Sequence, residues 1–243
     1  MKLNALIFDV DGTLAETERD GHRPAFNAAF AEAGLNWNWG VELYGELLAV
    51  NGGKERIRHY AERYDPACAA RPNFDTLVAK LHAVKTQRYL ALVEAGALCL
   101  RPGIVRLLES ARAAGLRLAI ASTTTPINVT TLLRARLGAA APAGFDVIAA
   151  GDVVAAKKPA PDIYQHCLAQ LGLPASACLA IEDSAAGLAA ARGAGINTLI
   201  TPSQYSRHQD FSGALAVLPD LGGVSLEQIR QLVARSPSAA ISA

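Results

Sequence analysis

The feature that most restricts the fold of this chain is an alternation of short apolar segments with longer helical patterns. Five apolar runs have the length of buried strands, at residues 3–8, 116–121, 145–149, 178–181 and 196–200. Such runs are typical of parallel strands that are covered on both faces. Four helical patterns accompany them, at residues 102–114, 126–137, 161–171 and 184–194. We therefore predict an α/β fold with a doubly wound parallel sheet, a Rossmann-like core.

The alternation is interrupted directly after the first strand. From residue 18 to residue 96 the sequence shows helical patterns and no convincing strand, with helices predicted at residues 23–33, 41–48, 54–63 and 74–94. We predict an inserted α-helical cap over residues 18–96 and a catalytic core built from residues 1–17 and 97–235. The core is expected to end in an amphipathic helix over residues 225–235, followed by a frayed tail at 236–243.

Composition narrows the classes of function. The chain has 23 Lys plus Arg against 22 Asp plus Glu and no dense basic stretch, so we expect neither nucleic acid nor a membrane surface as a partner. The sequence contains no run of about 18 apolar residues, so we predict no membrane span. Cys68, Cys99, Cys167 and Cys178 form no closely spaced pair, so reduced core cysteines in a cytoplasmic protein are expected. We expect a monomer.

The strongest chemical signal is the run Asp9-Val10-Asp11-Gly12-Thr13 after the first predicted strand. Ligands of open parallel sheets bind beyond the carboxyl ends of the strands, so both carboxylates should face one crevice. Other predicted strand ends and loops add a hydroxyl, a lysine and an acidic pair: Ser122, Lys158, Glu182 and Asp183. This set offers a nucleophile, an acid/base, a phosphate ligand and a site for Mg²⁺. It indicates phosphoryl transfer.

These motifs, in this order, resemble the haloacid dehalogenase superfamily over nearly the whole chain, including the position of the cap. The second aspartate, Asp11, is similar to that of the phosphatases of the superfamily and separates them from true dehalogenases. The resemblance implies that Asp9 attacks phosphorus and forms an aspartyl-phosphate. Asp11 would protonate the leaving oxygen and later accept a proton from water, for which we expect a pKa raised toward neutrality.

The same resemblance implies roles for the remaining motif residues. Ser122 would hydrogen-bond a phosphoryl oxygen, and Lys158 would neutralise charge on the nucleophile and the phosphoryl group. Magnesium uses few carboxylates and keeps several waters, which agrees with a short ligand list. The residues implied for Mg²⁺ are Asp9, Asp11 through its backbone carbonyl, and Asp183, with Glu182 as a ligand or just behind the ligands.

The cap is similar, more narrowly, to the CbbY-type xylulose-1,5-bisphosphate phosphatases of Calvin-cycle operons. The similarity lies mainly in the run Asn51-Gly52-Gly53-Lys54-Glu55-Arg56. A bisphosphate needs a second cationic pocket, and a Gly-Gly turn before a helix with two cations supplies amides and charge. The residues expected to bind substrate, a small anionic sugar phosphate, are Glu18, His22, Tyr44, Gly52, Gly53, Lys54, Arg56, Thr123 and Thr124.

Three functions stay open on the sequence. The leading hypothesis is hydrolysis of xylulose 1,5-bisphosphate to xylulose 5-phosphate. A β-phosphoglucomutase-like isomerase would share the core motifs, because it differs only in how long the aspartyl-phosphate survives. A receiver-like signalling domain also uses an acceptor aspartate, Mg²⁺, a hydroxyl and a lysine, but receivers are much shorter and carry no helical cap at this position.

Overall fold

The computed structural model of this chain describes residues 2–50 and 52–235. Within these residues six parallel strands form one sheet in the order β3-β2-β1-β4-β5-β6. This is the strand order of doubly wound nucleotide-binding folds, in which a ligand crevice opens beside the first strand, so the predicted fold class is confirmed. The strands are β1 (Ala5–Phe8), β2 (Arg117–Ser122), β3 (Val147–Ala150), β4 (Cys178–Glu182), β5 (Asn197–Ile200) and β6 (Ala216–Val217).

The helices fall into a cap group and a core group. The cap segment begins with one turn of π-helix, Glu18–His22, and continues with α1 (Arg23–Glu32), α2 (Val41–Leu47), α3 (Gly53–Tyr64), α4 (Pro66–Ala69) and α5 (Phe74–Glu94). The core helices are α6 (Ile104–Ala113), α7 (Pro126–Leu137), α8 (Asp162–Leu171), α9 (Ala185–Gly193) and α10 (Leu226–Arg235). Short 3₁₀ turns lie at Ala141–Gly144 and Ala175–Ala177.

Side chains of each strand alternate between two hydrophobic layers. In β1, Leu6 and Phe8 pack into a cluster that also contains residues of α6, α7 and α10. Ala5 and Ile7 face the other side, toward α8 and α9. Because successive strand residues point to opposite faces, a central strand covered by helices on both sides must be apolar throughout. All four β1 residues are fully buried, which is why the strand was recognisable in the sequence.

The cap segment has a hydrophobic cluster of its own. Its centre is aromatic, with Phe26 and Phe30 of α1 packed against Trp37 and Trp39. Two linkers, residues 9–17 and 97–103, join this segment to the sheet. They meet where the Arg101 backbone N–H donates to the Leu14 carbonyl at 2.8 Å. The carboxyl edge of the sheet therefore lies directly beneath the cap.

Two other expectations can be compared with the fold, and a third concerns residues that the structure does not describe. Cys68, Cys167 and Cys178 are buried, but Cys99 is exposed because it lies in the second linker, so its expected core position is wrong. Among the described residues, no helix has both the length and the apolar character needed to cross a membrane. The predicted tail, 236–243, lies outside the described residues.

Candidate active site

A buried cluster of charged groups occupies the carboxyl edge of the sheet. Asp9 follows β1 and Glu182 is the last residue of β4, so both point into the crevice between these paired strands. Lys158 lies between them, and its Nζ donates to Asp9 Oδ1 at 2.7 Å and to Glu182 Oε1 at 2.5 Å. A third bond, at 2.8 Å, goes to the Ala121 carbonyl in β2. The lysine therefore connects the carboxyl ends of β1, β2 and β4 through one ammonium group.

Glu182 is held by neighbours on both of its carboxylate oxygens. Besides Lys158, the Tyr164 hydroxyl donates to Oε1 at 2.8 Å, and the Asp183 backbone N–H donates to Oε2 at 3.1 Å. A side chain at position 187 would not fit, because a Cβ there would lie 2.0 Å from Glu182 Oε2. The arrangement suits Glu182 to orienting Lys158 rather than to contacting a ligand directly.

The raised pKa values of Asp9 and Asp183 indicate that one lysine does not balance the negative charge of this cluster. Burial raises the pKa of Asp9 to about 7, and the attraction of Lys158 only partly offsets this. Burial, and then repulsion from Asp9 and Glu182, raise the pKa of Asp183 well above its ordinary value. Carboxylate oxygens of these three residues lie within 4.8 Å of one another. Three buried carboxylates beside one ammonium fit a hard divalent cation, which would supply the missing charge.

Asp11 has a different environment, and its expected pKa is wrong for this arrangement. The Thr17 hydroxyl donates to Asp11 Oδ1 at 2.5 Å, and His22 Nε2 lies 3.0 Å from the same oxygen. Burial raises the pKa of Asp11, but the charge and hydrogen bond of His22 and the bond from Thr17 outweigh it and lower the pKa to about 2. The expected pKa did not include these partners, because Thr17 lies at the end of the first linker and His22 in the first turn of the cap.

A cavity of about 440 Å³ opens between this cluster and the cap. Its volume is in the range of small-molecule sites. A smaller cavity of about 60 Å³ adjoins it. The residues that line both are Asp11, Glu18, Gly52, Arg56 and Thr123. The larger also receives Asp9, Lys158 and Asp183, whereas the smaller receives His22, Gly53, Lys85 and Thr124. Most of the expected site residues are thus brought around one space.

The cap residues at this cavity form a hydrogen-bonded chain. Tyr44 is fully buried, and its hydroxyl donates to Glu18 and accepts from Arg56 Nη1 at 3.0 Å. Arg56 is itself 7% exposed and is tied to the Leu47 and Val50 carbonyls. Tyr44 therefore lies behind Glu18. Lys54, in contrast, is exposed at the start of α3 and is not among the residues that line either cavity.

The hydroxyl groups after β2 divide between the wall and the cavity. Ser122 is 1% exposed, and its Oγ accepts a hydrogen bond from the Thr124 backbone N–H at 3.3 Å. Thr123 lines both cavities. Thr124 lines the smaller one and accepts a hydrogen bond from Asn128 at 3.1 Å. Of these residues, only Thr123 lines the cavity that Asp9 also lines.

Lys85 of α5 is a site residue that the sequence reasoning missed. It is 5% exposed, and its ammonium lies 4.9 Å from the Phe26 ring centroid and 5.6 Å from that of Tyr89. Burial lowers its pKa to about 8, although Glu18 and Asp11 act in the opposite direction. The sequence does contain a pattern that could have identified it. Lys85 falls among the apolar positions that form the buried face of α5: Val78, Leu81, Tyr89 and Val93. A lysine at such a position is seldom buried without a partner.

Fold and site together define a phosphatase of the haloacid dehalogenase type. The model of the haloacid dehalogenase-like hydrolase family matches residues 3–195, and the chain belongs to this family. It is 51% identical over 232 residues to protein CbbY of Rhodobacter capsulatus, which covers 96% of this chain and 100% of that protein.

Solved structures agree with this assignment. The crystal structure of CbbY from Rhodobacter sphaeroides in complex with phosphate has a TM-score of 0.85 and 47% identity, and the match covers 92% of this chain and 96% of that one. A mutant of the same protein in complex with xylulose-(1,5)bisphosphate gives the same TM-score, identity and coverage.

Proposed function

We propose that the protein is a Mg²⁺-dependent phosphatase that converts xylulose 1,5-bisphosphate to xylulose 5-phosphate through an aspartyl-phosphate. The observation that carries this proposal is the cavity, which has a nucleophile and a lysine on its core side and cations on its cap side. The bisphosphate complex of the similar Rhodobacter sphaeroides protein supports the choice of substrate. The expected ligand is accordingly a small phosphorylated sugar.

In the proposed reaction Asp9 is the nucleophile. One of its oxygens forms a bond to phosphorus while the bond from phosphorus to the sugar oxygen breaks. Lys158, 2.7 Å from Asp9, holds the carboxylate in place and offsets charge on the transferring group. Donors of the segment from Ser122 to Thr124 would bind phosphoryl oxygens. Preorganised donors of this kind stabilise the transition state because they need no rearrangement during the reaction.

The residues that would hold the metal are Asp9, the backbone carbonyl of Asp11, and Asp183. Glu182 is better suited to holding Lys158, because both of its oxygens already accept hydrogen bonds. When bound, Mg²⁺ supplies positive charge that draws the nucleophile and the phosphoryl oxygens together.

Asp11 is the proposed acid and base. With Thr17 and His22 as partners it is ionised near neutrality, since its pKa is about 2. An anionic phosphate beside it disfavours the charged carboxylate and raises the pKa, which lets Asp11 hold the proton that the leaving oxygen receives. The resulting carboxylate then accepts a proton from the water that attacks the aspartyl-phosphate.

The second phosphate of the substrate is assigned to the cap side. Arg56 lines both cavities and Lys85 lines the smaller one, so the cap brings two buried cationic side chains to this space. Glu18 also lines both cavities and would accept hydrogen bonds from sugar hydroxyls. We propose that residues 18–96 act as a lid, because a closed site would shield the aspartyl-phosphate from water other than the one that hydrolyses it. On this proposal the cap distinguishes bisphosphates from monophosphates.

Substrate preference tests the proposed function. Purified protein with Mg²⁺ should release phosphate from xylulose 1,5-bisphosphate with a kcat/KM at least about 10-fold above those for xylulose 5-phosphate or glucose 6-phosphate, since one hydrogen bond to a charged group contributes about 1.5–3 kcal/mol. Equal rates on all three would contradict the substrate assignment alone. Conversion of β-glucose 1-phosphate to glucose 6-phosphate without phosphate release would contradict hydrolysis and support a mutase.

A substitution of Arg56 tests the role of the cap. In Arg56→Gln we expect kcat/KM for the bisphosphate to fall about 10- to 100-fold, because the substrate loses one hydrogen bond to a charged group. The kcat/KM for monophosphates should fall less. The matched control is Arg58→Gln, because Arg58 lies on the same helix but is exposed and pairs with Asp75 at 3.0 Å. An equal loss on both substrate classes would indicate that Arg56 only supports the cap. Thermal unfolding of both variants separates stability from binding.

A further inference from the structure

Arg101 donates hydrogen bonds from one buried guanidinium group to backbone carbonyls of several loops. It lies in the second linker, between α5 and α6, and is 9% exposed. Its Nη1 donates to the Gly12 carbonyl and, at 2.6 Å, to the Thr201 carbonyl. Its Nη2 donates to the Pro202 carbonyl at 2.9 Å and to the Pro219 carbonyl at 3.3 Å. These carbonyls come from the loops after β1, β5 and β6.

Two of these loops, those after β1 and β5, contact the acidic cluster formed by Asp9, Glu182 and Asp183. Gly12 follows Asp11 directly and packs so closely on the next strand end that a Cβ there would lie 2.4 Å from Asp183 Oδ2. Its φ of +88° is also one that side chains rarely adopt. Thr201 and Pro202 lead into Ser203, whose hydroxyl hydrogen-bonds the Ser206 hydroxyl at 3.0 Å, and Ser206 Oγ donates to Asp183 Oδ2 at 3.3 Å. One guanidinium therefore fixes both segments that meet at Asp183.

The same residue belongs to the connection between core and cap. Its backbone N–H donates to the Leu14 carbonyl of the first linker, and its Nε lies 3.5 Å from Glu16 Oε1, also in that linker. Buried carbonyls that accept from a charged donor lose that interaction without compensation when the donor is removed. Loss of Arg101 thus loosens the loops at the cluster, and no residue of the cluster itself is changed.

We propose that Arg101 is a positioning residue that holds the Gly12 and Ser203 loops at the spacing that Mg²⁺ binding requires. This inference rests on the proposed function, because it assigns the acidic cluster to Mg²⁺. Residues that orient metal ligands without contacting the metal contribute 10- to 100-fold to affinity in other metal sites. Arg101 acts here through backbone carbonyls instead of through the ligand side chains.

The test is calorimetric titration of the full chain with Mg²⁺, at a temperature well below unfolding, for the wild type, Arg101→Gln and Arg101→Lys. The control is Arg106→Gln, since Arg106 also gathers carbonyls, those of Leu221, Gly222 and Val224, but none at the acidic cluster. We expect the Mg²⁺ dissociation constant to rise about 10-fold or more in Arg101→Gln, less in Arg101→Lys, and not in Arg106→Gln. Melting temperatures in EDTA record any purely structural effect.

Each outcome decides a different point. A folded Arg101→Gln that binds Mg²⁺ as tightly as the wild type overturns the inference and leaves the proposed function standing. A wild type that binds no Mg²⁺ overturns the metal assignment, and the inference with it. If Arg101→Gln does not fold, Arg101→Lys decides, because an ammonium lacks the planar fork that reaches two loops at once. Weaker Mg²⁺ binding by the lysine variant then supports the inference, and unchanged binding overturns it.

Discussion

The variant Asp9→Asn is expected to release phosphate at least about 10⁴-fold more slowly than the wild type, the scale on which loss of a nucleophile acts in other enzymes. The amide oxygen of asparagine has nearly the size of the carboxylate oxygen but carries no charge and cannot form the aspartyl-phosphate. The measurement is steady-state phosphate release from the bisphosphate. The control is Asp152→Asn, which makes the same chemical change at a side chain that is 82% exposed.

Stability distinguishes a chemical from a structural cause of that loss. The pKa of Asp9 is about 7 in the folded chain and near 3.8 in the unfolded one, so the folded state binds this proton more tightly. The associated stability is fully present below the unfolded pKa and is lost as the pH rises through 7. In EDTA at pH 8, Asp9→Asn should therefore be at least as stable as the wild type. Substantial retained activity would contradict the assignment of the nucleophile.

The sequence predicted the core well because the core is decided by local pattern. A strand that helices cover on both sides is apolar along its buried length, and β1 and the first four residues of β4, 178–181, show this directly. The polar groups at strand ends follow from the same rule, since parallel strands bring their carboxyl ends to one edge. Strand β6 was missed because a two-residue edge strand leaves no such pattern.

The cap side of the site could not be predicted in the same way. Arg56 was expected to supply positive charge to a second phosphate pocket, but its guanidinium is buried and is held by the carbonyls of Leu47, the last residue of α2, and Val50. Lys85 reaches the cavity only because α5 packs against α1. The pKa of Asp11 depends on Thr17 and His22, which one turn of π-helix brings beside it. Each of these contacts depends on tertiary structure and not on spacing along the chain.

The second large effect is expected for Lys158→Met, which should lose both stability and activity. The methionine keeps the length and the apolar stem of the side chain but removes the charge between Asp9 and Glu182. Removing one partner of a buried ion pair costs about 3–5 kcal/mol, because the other charge stays buried without compensation. Phosphate release should also fall at least about 100-fold, the cost of removing one preorganised donor at a transition state.

The pH dependence identifies the origin of the stability loss. Lys158 lowers the pKa of Asp9, so in Lys158→Met that pKa rises further above 7, and ionised Asp9 destabilises the fold over a wider pH range. Urea unfolding in EDTA should therefore show the largest loss in the free energy of unfolding, relative to the wild type, at pH 8. This deficit should shrink as the pH falls toward 5, where Asp9 is protonated.

The control Lys157→Met changes the neighbouring lysine, which pairs with Asp152 at 3.3 Å and Glu55 at 3.7 Å instead of with the cluster. A deficit that is independent of pH, or equal in both variants, would show that Lys158 stabilises the chain by packing and not by balancing the charge of Asp9.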